Sequence, residues 1–210
     1  MVKDVWPYLT GGILLTAALA LMGYSVWAAV AGAATVAVAS FFRDPSRRVP
    51  IDPSSILSPA DGKVVEIARD AAGSSTGARR VSIFLSVFNV HVNRAPAAGR
   101  VTDIVYTPGS FLPAFREKAS ELNESNLISM ETSRGPLQVR QIAGLIARRI
   151  RCWKQPGDAV SQGEKIGFIT FGSRVDLFVP ASAELKVSVG DSVRGGTSVV
   201  AVYTQDGAPS

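Results

Sequence analysis

Three Gly-Ser pairs occur in the chain, Gly73-Ser74, Gly109-Ser110 and Gly172-Ser173, beside a single histidine, His91. Only the third pair has strand-like sequence on both sides, Phe168-Ile169-Thr170-Phe171 before it and Val175–Val179 after it. A serine held after a glycine on a strained turn can attack the preceding carbonyl and turn the peptide into an ester. β-Elimination then breaks the chain and leaves dehydroalanine, which hydrolyses to a pyruvoyl group. Glycine suits the turn because it tolerates unusual backbone angles and leaves its carbonyl accessible. A hydroxyl nucleophile needs a base near neutral pH. His91 is the only imidazole in the chain, and Asp61 or Asp176 could orient it.

Other chemistries are closed by counting. One cysteine, Cys152, excludes an internal disulfide framework and a Cys-x-x-Cys metal site, and one histidine excludes a multi-His metal centre. No metal site is expected. Apolar residues make up 47% and charged residues 19%, with a mean hydropathy of +0.22, the opposite of a disordered chain. The net charge of +5 favours an anionic partner, a membrane surface or nucleic acid. Nothing in the chain resembles a motif that reads nucleic acid, so the membrane is expected and nucleic acid is not.

The amino-terminal third supports the membrane. From Leu9 to Phe42 no residue is charged, a run of 34 residues broken near Gly23-Tyr24-Ser25. It reads as two short apolar helices, Leu9 to Met22 and Val26 to Phe42, forming a hairpin that dips into the bilayer or crosses it twice. Lys3 precedes the run, and Arg43, Arg47 and Arg48 follow it, which places both ends on the cytoplasmic side. Residues 1–42 are therefore expected to be a membrane-associated hairpin, and residues 43–210 a β-rich catalytic domain.

That domain shows short runs rich in β-branched residues: Lys63–Ile67, Val81–Val87, Val101–Tyr106, Leu137–Ile142, Lys165–Thr170, Val175–Val179, Leu185–Val189 and Val199–Tyr203. Residues 107–136 read as a polar loop with a helical turn, in which Phe111 and Phe115 could touch lipid or a satellite core. Residues 157–169 and 190–202 form a repeat: Gly157, Asp158, Val160 and Gly163 match Gly190, Asp191, Val193 and Gly196. Two such halves make a flattened β-barrel or sandwich like the biotinyl/lipoyl hammerhead. The carrier lysine of those domains lies midway between the Gly-Asp turns, where this chain has Gly172-Ser173. The expected fold is mainly β, with these half-repeats and an amino-terminal helical hairpin.

Several blocks occur in a telling order: Phe41-Phe42-Arg43-Asp44-Pro45 after the hairpin, Ser58-Pro59-Ala60-Asp61-Gly62-Lys63-Val64, the run from Phe84 through His91 to Pro96, Glu121 to Asn126, Ala147-Arg148-Arg149-Ile150, and Phe171-Gly172-Ser173-Arg174-Val175-Asp176. Together they resemble the phosphatidylserine decarboxylase proenzymes of the short bacterial and archaeal type, over nearly the whole chain. The resemblance implies self-cleavage between Gly172 and Ser173 into a β chain, 1–172, and an α chain, 173–210, that stay associated. It implies a covalent pyruvoyl cofactor formed from Ser173, with Asp61, His91 and Ser173 as the catalytic set. Long bacterial members have Leu-Gly-Ser-Thr at the cleavage point and a second histidine where Arg94 stands here, so His91 would serve both maturation and decarboxylation.

The implied activity is decarboxylation of phosphatidylserine to phosphatidylethanolamine through a Schiff base. The conjugated imine acts as the electron sink. Arg94, Asn123 and Arg174 are the candidates for binding the lipid phosphate. The implied partners are a phospholipid substrate and the cytoplasmic face of the cell membrane, and an exposed barrel edge invites a homodimer. The rival reading is a membrane-anchored carrier or interaction module without catalysis.

Overall fold

A computed structural model describes residues 2, 5–69, 78–111, 122–144, 149–170 and 172–204. The chain divides into two compact units, Met1–Ser46 and Arg47–Ser210.

The first unit is a helical hairpin of α1 (Trp6–Leu21) and α2 (Ser25–Phe41). Pro7 lies in the first turn of α1, where its missing N–H costs no hydrogen bond. Gly23 turns the chain with φ +81°, a conformation that favours glycine. Small residues let the helices approach: Gly12 lies against Thr35, and Gly32 against Thr16. No residue of α1 is buried, and Trp6, Leu14, Leu21, Trp27 and Val36 present large apolar side chains outward. At about 1.5 Å per residue the helices are about 24–26 Å long, against about 30 Å of hydrocarbon in a bilayer. Among the described residues, no helix is long and apolar enough to cross a membrane.

The named elements of the second unit are all strands. Its strands are β1 (Ser55–Leu57), β2 (Gly62–Ala68), β3 (Arg79–Leu85), β4 (Val92–Arg94), β5 (Gly99–Thr107), β6 (Ser125–Thr132), β7 (Gly135–Ile142), β8 (Ile150–Cys152), β9 (Ala159–Val160), β10 (Lys165–Ile169), β11 (Ser173–Val179), β12 (Glu184–Leu185), β13 (Ser192–Val193) and β14 (Val199–Val202). They form an antiparallel eight-stranded sheet, β13-β2-β3-β11-β7-β6-β5-β9, and two three-stranded sheets, β1-β14-β12 and β4-β10-β8. One apolar cluster joins Val81, Ile83 and Leu85 of β3, Val175 and Leu177 of β11, Ile128 and Met130 of β6 and Ile166 of β10.

The repeat seen in the sequence is a structural symmetry. Gly157 donates to Val101 O while Val101 donates to Asp158 O; Gly190 and Asp191 make the same pair of bonds with Val64. Gly163 donates to Ala95 O, and Gly196 donates to Ser58 O. The four glycines have φ between +73° and +102°, which explains why both copies keep them. Their partners expose a second repeat that sequence reading passed over. Pro59, Ala60, Gly62, Val64 and Ile67 match Pro96, Ala97, Gly99, Val101 and Ile104. The register shifts where β2 meets β3 at Val64/Glu66 and where β5 meets β6 at Val101/Asp103 occupy matching places. The sheet order is thus pseudo-symmetric: β13-β2-β3-β11 in one half corresponds to β9-β5-β6-β7 in the other.

Expected strand runs and observed strands coincide closely at β2, β5, β7, β10, β11 and β14. The largest difference is β6, inside the stretch read as a loop. Its Ser125, Asn126 and Glu131 hide the strand signal, yet it is a full eight-residue partner of β7. Leu185–Val189 shrinks to β12, and Val87 leaves β3 for a turn. Phe115, Arg148 and Phe171 lie outside the described residues.

Candidate active site

Gly172 has φ +60° with open space where a Cβ would stand, so the backbone angle, not crowding, calls for glycine. It follows β10 and delivers Ser173 as the first residue of β11. Ser173 pairs with Leu85 on β3, and the neighbouring Arg174 pairs with Ile142 on β7. Ser173 is fully buried, and its Oγ has no hydrogen-bond partner among the described residues. A buried hydroxyl without a partner costs about 1–3 kcal/mol. Groups left so by a folded protein cluster at functional sites.

His91 is also fully buried, with Nδ1 2.9 Å from Asn89 O and its ring 6.4 Å from that of Phe168. Its carbonyl accepts from Ile169 N, at the end of β10 that leads to Gly172. The His91 backbone is thereby tied to one end of the connection whose other end is Ser173.

Asp61 stands just before β2. Its Oδ2 accepts from Arg47 at 2.8 Å and its Oδ1 from Gly195 N at 2.8 Å. Each oxygen thus has a partner outside the imidazole, and His91 Nδ1 lies against Asn89 O. It lines a cleft of about 570 Å³ together with Lys63, Phe84, Ser86, Asn89 and Arg194. The cleft opens at the sheet end where β2 starts, β3 stops and β11 starts, the end that holds Ser173.

The three candidate phosphate ligands fall in different places. Arg94 is buried, donates from Nη1 to Gly163 O at 3.0 Å, and lays its stem against Gly196. It bridges the matching turns of the two repeats. Asn123 is buried and donates to Ala143 O at 2.8 Å, just past the end of β7 and beside the start of β11. Arg174 alternates with Ser173 along β11, so its side chain leaves by the opposite sheet face. There its Nε meets Asp176 at 2.9 Å, and its Nη2 meets Glu66 at 2.6 Å and Ser82 Oγ at 2.5 Å. Burial alone would lower the Arg174 pKa, but Asp176 and Glu66 outweigh it and hold it above the usual arginine value. Asp176, the other acid considered for orienting His91, is wholly buried in this cluster. Arg140 opposite it is pushed down, chiefly by burial.

A chain of buried amides escaped sequence reading. Asn126 donates to Gln141 Oε1 at 3.0 Å, and Gln141 donates to Asn93 Oδ1 at 2.8 Å. Asn126, Gln141 and Val175 are paired across β6, β7 and β11, which sets the amides on the face that Ser173 shares with Val175. Gly167 is required beneath them, because a Cβ there would strike Gln141. Asn93 Nδ2 is a second buried side-chain atom without a partner among the described residues. The available signal was an amide in phase with the buried apolar positions of its strand, as Gln141 is with Leu137 and Val139.

The wall around Ser173 thus combines a buried free hydroxyl, a left-handed glycine, an imidazole and a spare amide donor. Such a set can carry an acyl shift. Among the described residues, no three His, Cys, Asp or Glu side chains gather as a metal centre would require.

A family model for phosphatidylserine decarboxylase matches residues 35–201. A phosphatidylserine decarboxylase proenzyme of Desulfotalea psychrophila is 50% identical over 170 residues, covering 80% of this chain and 79% of its own. That of Geotalea uraniireducens is 42% identical, covering 94% and 93%. That of Neisseria meningitidis serogroup B is 42% identical, covering 95% and 76%. With this coverage, and with the matched region spanning every residue of the wall around Ser173, the chain belongs to the phosphatidylserine decarboxylase family.

Proposed function

We propose that the chain is a self-processing phosphatidylserine decarboxylase, cut between Gly172 and Ser173. The observation that carries this reading is the buried, unpartnered Ser173 Oγ following a left-handed glycine. Ser173 Oγ attacks the Gly172 carbonyl carbon and gives its proton to His91. The oxyanion collapses, the C–N bond breaks, and the Ser173 nitrogen takes a proton. Loss of the Ser173 Cα proton then expels the Gly172 carboxylate as leaving group. Water replaces the nitrogen of the resulting enamine, and ammonia departs.

A pyruvoyl group fits the site, since it needs no more volume than the serine it replaces and keeps the β11 register. Its conjugated carbonyls supply the electron sink that decarboxylation of an amino acid head group demands. His91 hands a proton to the substrate carbon after carbon dioxide leaves. The chains stay together because β11 is paired through seven residues with β3 and five with β7. The outward apolar side chains of the hairpin suit a bilayer, and Arg43 and Arg48 suit its anionic cytoplasmic face, while Arg47 is turned to Asp61. A non-catalytic carrier is disfavoured, because its relatives are decarboxylase proenzymes and no lysine occupies the place of attachment.

The test is the intact mass of the purified protein. Two species, residues 1–172 and residues 173–210 with a ketone in place of the terminal amine, are expected. One uncut chain, stable on incubation with phospholipid vesicles, would overturn the reading.

A further inference from the structure

Resting on that reading, we propose that Lys63 and Arg194 form the subsite for the phosphodiester of the lipid head group. Both line the cleft that Asp61 shares, and both side chains are exposed. Neither has a hydrogen-bond or ion-pair partner among the described residues, although the strands that carry them are fixed. Lys63 on β2 stands between Ser192 of β13 and Phe84 of β3, and Arg194 follows β13 directly. The cleft's own carboxylate is neutralised elsewhere, because Asp61 is paired with Arg47. The surplus charge in the cleft is therefore positive, as an anionic ligand requires.

The pseudo-symmetric half supplies a control. Arg100 is the counterpart of Lys63, and its guanidinium is bonded to Gly157 O. The counterpart of Arg194 is Ser161, and that of Asp61 is Ala98. The matching cleft, lined by Ala97, Ala98, Val160, Ser161 and Tyr203, carries no free cation among the described residues. Among the described residues, cations without a partner therefore line the cleft of the half that holds Ser173 and not its counterpart.

The surroundings identify the anion as part of a lipid. The turn that contributes Ser86 and Asn89 to the cleft carries Val87 and Phe88 at its tip, and Phe88 is 83% exposed. An apolar tip beside unpaired cations matches the boundary between acyl chains and phosphates. From the cleft, the serine part of the head group has only to round the end of β3, where Leu85 pairs with Ser173.

The test uses the Lys63→Ala, Arg194→Ala double variant of the full chain, with glycerophosphoserine, a soluble phosphodiester without acyl chains, as substrate. Chain cleavage is expected at the wild-type rate, with KM raised at least about tenfold and kcat changed less than about threefold, the scale of lost charge-assisted hydrogen bonds. Arg100→Ala is expected to leave KM unchanged. An unchanged KM in the double variant overturns the subsite. So does a defect seen with anionic vesicles but absent with glycerophosphoserine, since the cations would then serve only to attract the membrane surface. Failure of the wild-type chain to split would sink the underlying reading instead, and the mass measurement shows that separately.

Discussion

The two halves of the β unit share one scaffold and differ around Ser173. β6 runs into β7 through the turn at Ser133-Arg134, and Gly135 pairs with Thr132. The matching strands β3 and β11 are not joined. There Ser173 takes the place of Gly135, opposite Leu85, and arrives from β10 through Gly172. On the far face of the sheet, Gln138 donates to Ser129 Oγ in one half. In the other, Asp176 and Ser82 stand at those positions and hold Arg174 in a buried ion cluster. One half of the frame holds neutral pairs, and the other holds a break in connectivity, a buried hydroxyl without a partner among the described residues, and buried charge. The break matters most, since a strand already held from both sides can lose its covalent tether without unfolding.

The most severe way to break the comparison is Ser173→Ala. Maturation is expected to stop completely, leaving one uncut chain by mass spectrometry, while the fold persists because β11 keeps both neighbours. A cut at the same bond in this variant would show that another group is the nucleophile. Next in size is Asp176→Asn, which strips a charge from a pair whose members are at most 1% exposed. Leaving Arg174 with less compensation costs about 3–5 kcal/mol. The counterpart, Gln138→Ala, removes a neutral hydrogen bond worth about 0.5–1.5 kcal/mol. Denaturant midpoints that rank the two in the reverse order would show that the cluster is not the tighter lock.

These contrasts were only partly legible in the sequence. The Gly-Asp turns could be read because positive φ forces glycine at Gly157, Gly163, Gly190 and Gly196, leaving letters that repeat. The companion repeat at Pro59 and Pro96 was equally present. Its matches are diluted by exchanges such as Lys63 for Arg100 and Glu66 for Asp103, which preserve shape rather than identity. β6 was hidden because the partner of a buried Asn126 is Gln141, on another strand. A polar residue looks like loop until its bond is known. Ser173 and His91 stood out as a nucleophile and the sole base. Which way Arg174 points could not be read, since strand alternation decides it only once Ser173 is known to face the core.

A finer probe is Gly135→Ser, which puts a serine at the counterpart of Ser173. Gly135 has φ +110°, so a side chain there costs about 1–3 kcal/mol in backbone strain. No cleavage is expected, because the chain's one histidine, His91, lies after β3 and not at that turn, so an attack on the Arg134 carbonyl has no imidazole to take the hydroxyl proton. A cut before position 135 would mean that a serine on a strained turn is sufficient and that the surrounding wall contributes little.

The smallest expected difference is in pH dependence, and it separates Glu66 from its counterpart Asp103. Burial alone would raise the Glu66 pKa, but hydrogen bonds from Arg174 and Arg80 outweigh it and hold it below the ordinary glutamate value. A carboxyl with a depressed folded-state pKa stabilises the protein fully above its unfolded value, and the contribution is lost as pH falls through the folded value. Stability should therefore decline on the acid side of the usual glutamate range. Glu66→Gln should flatten that decline at the cost of some stability at neutral pH. Asp103 accepts only from its neighbour's backbone, Ile104 N. Asp103→Asn should accordingly lower Tm at neutral pH less than Glu66→Gln does. Because Glu66 is partly exposed, added salt should shrink its contribution. An acid limb that ignores Glu66→Gln would show that the ion cluster does not set the pH response of this half.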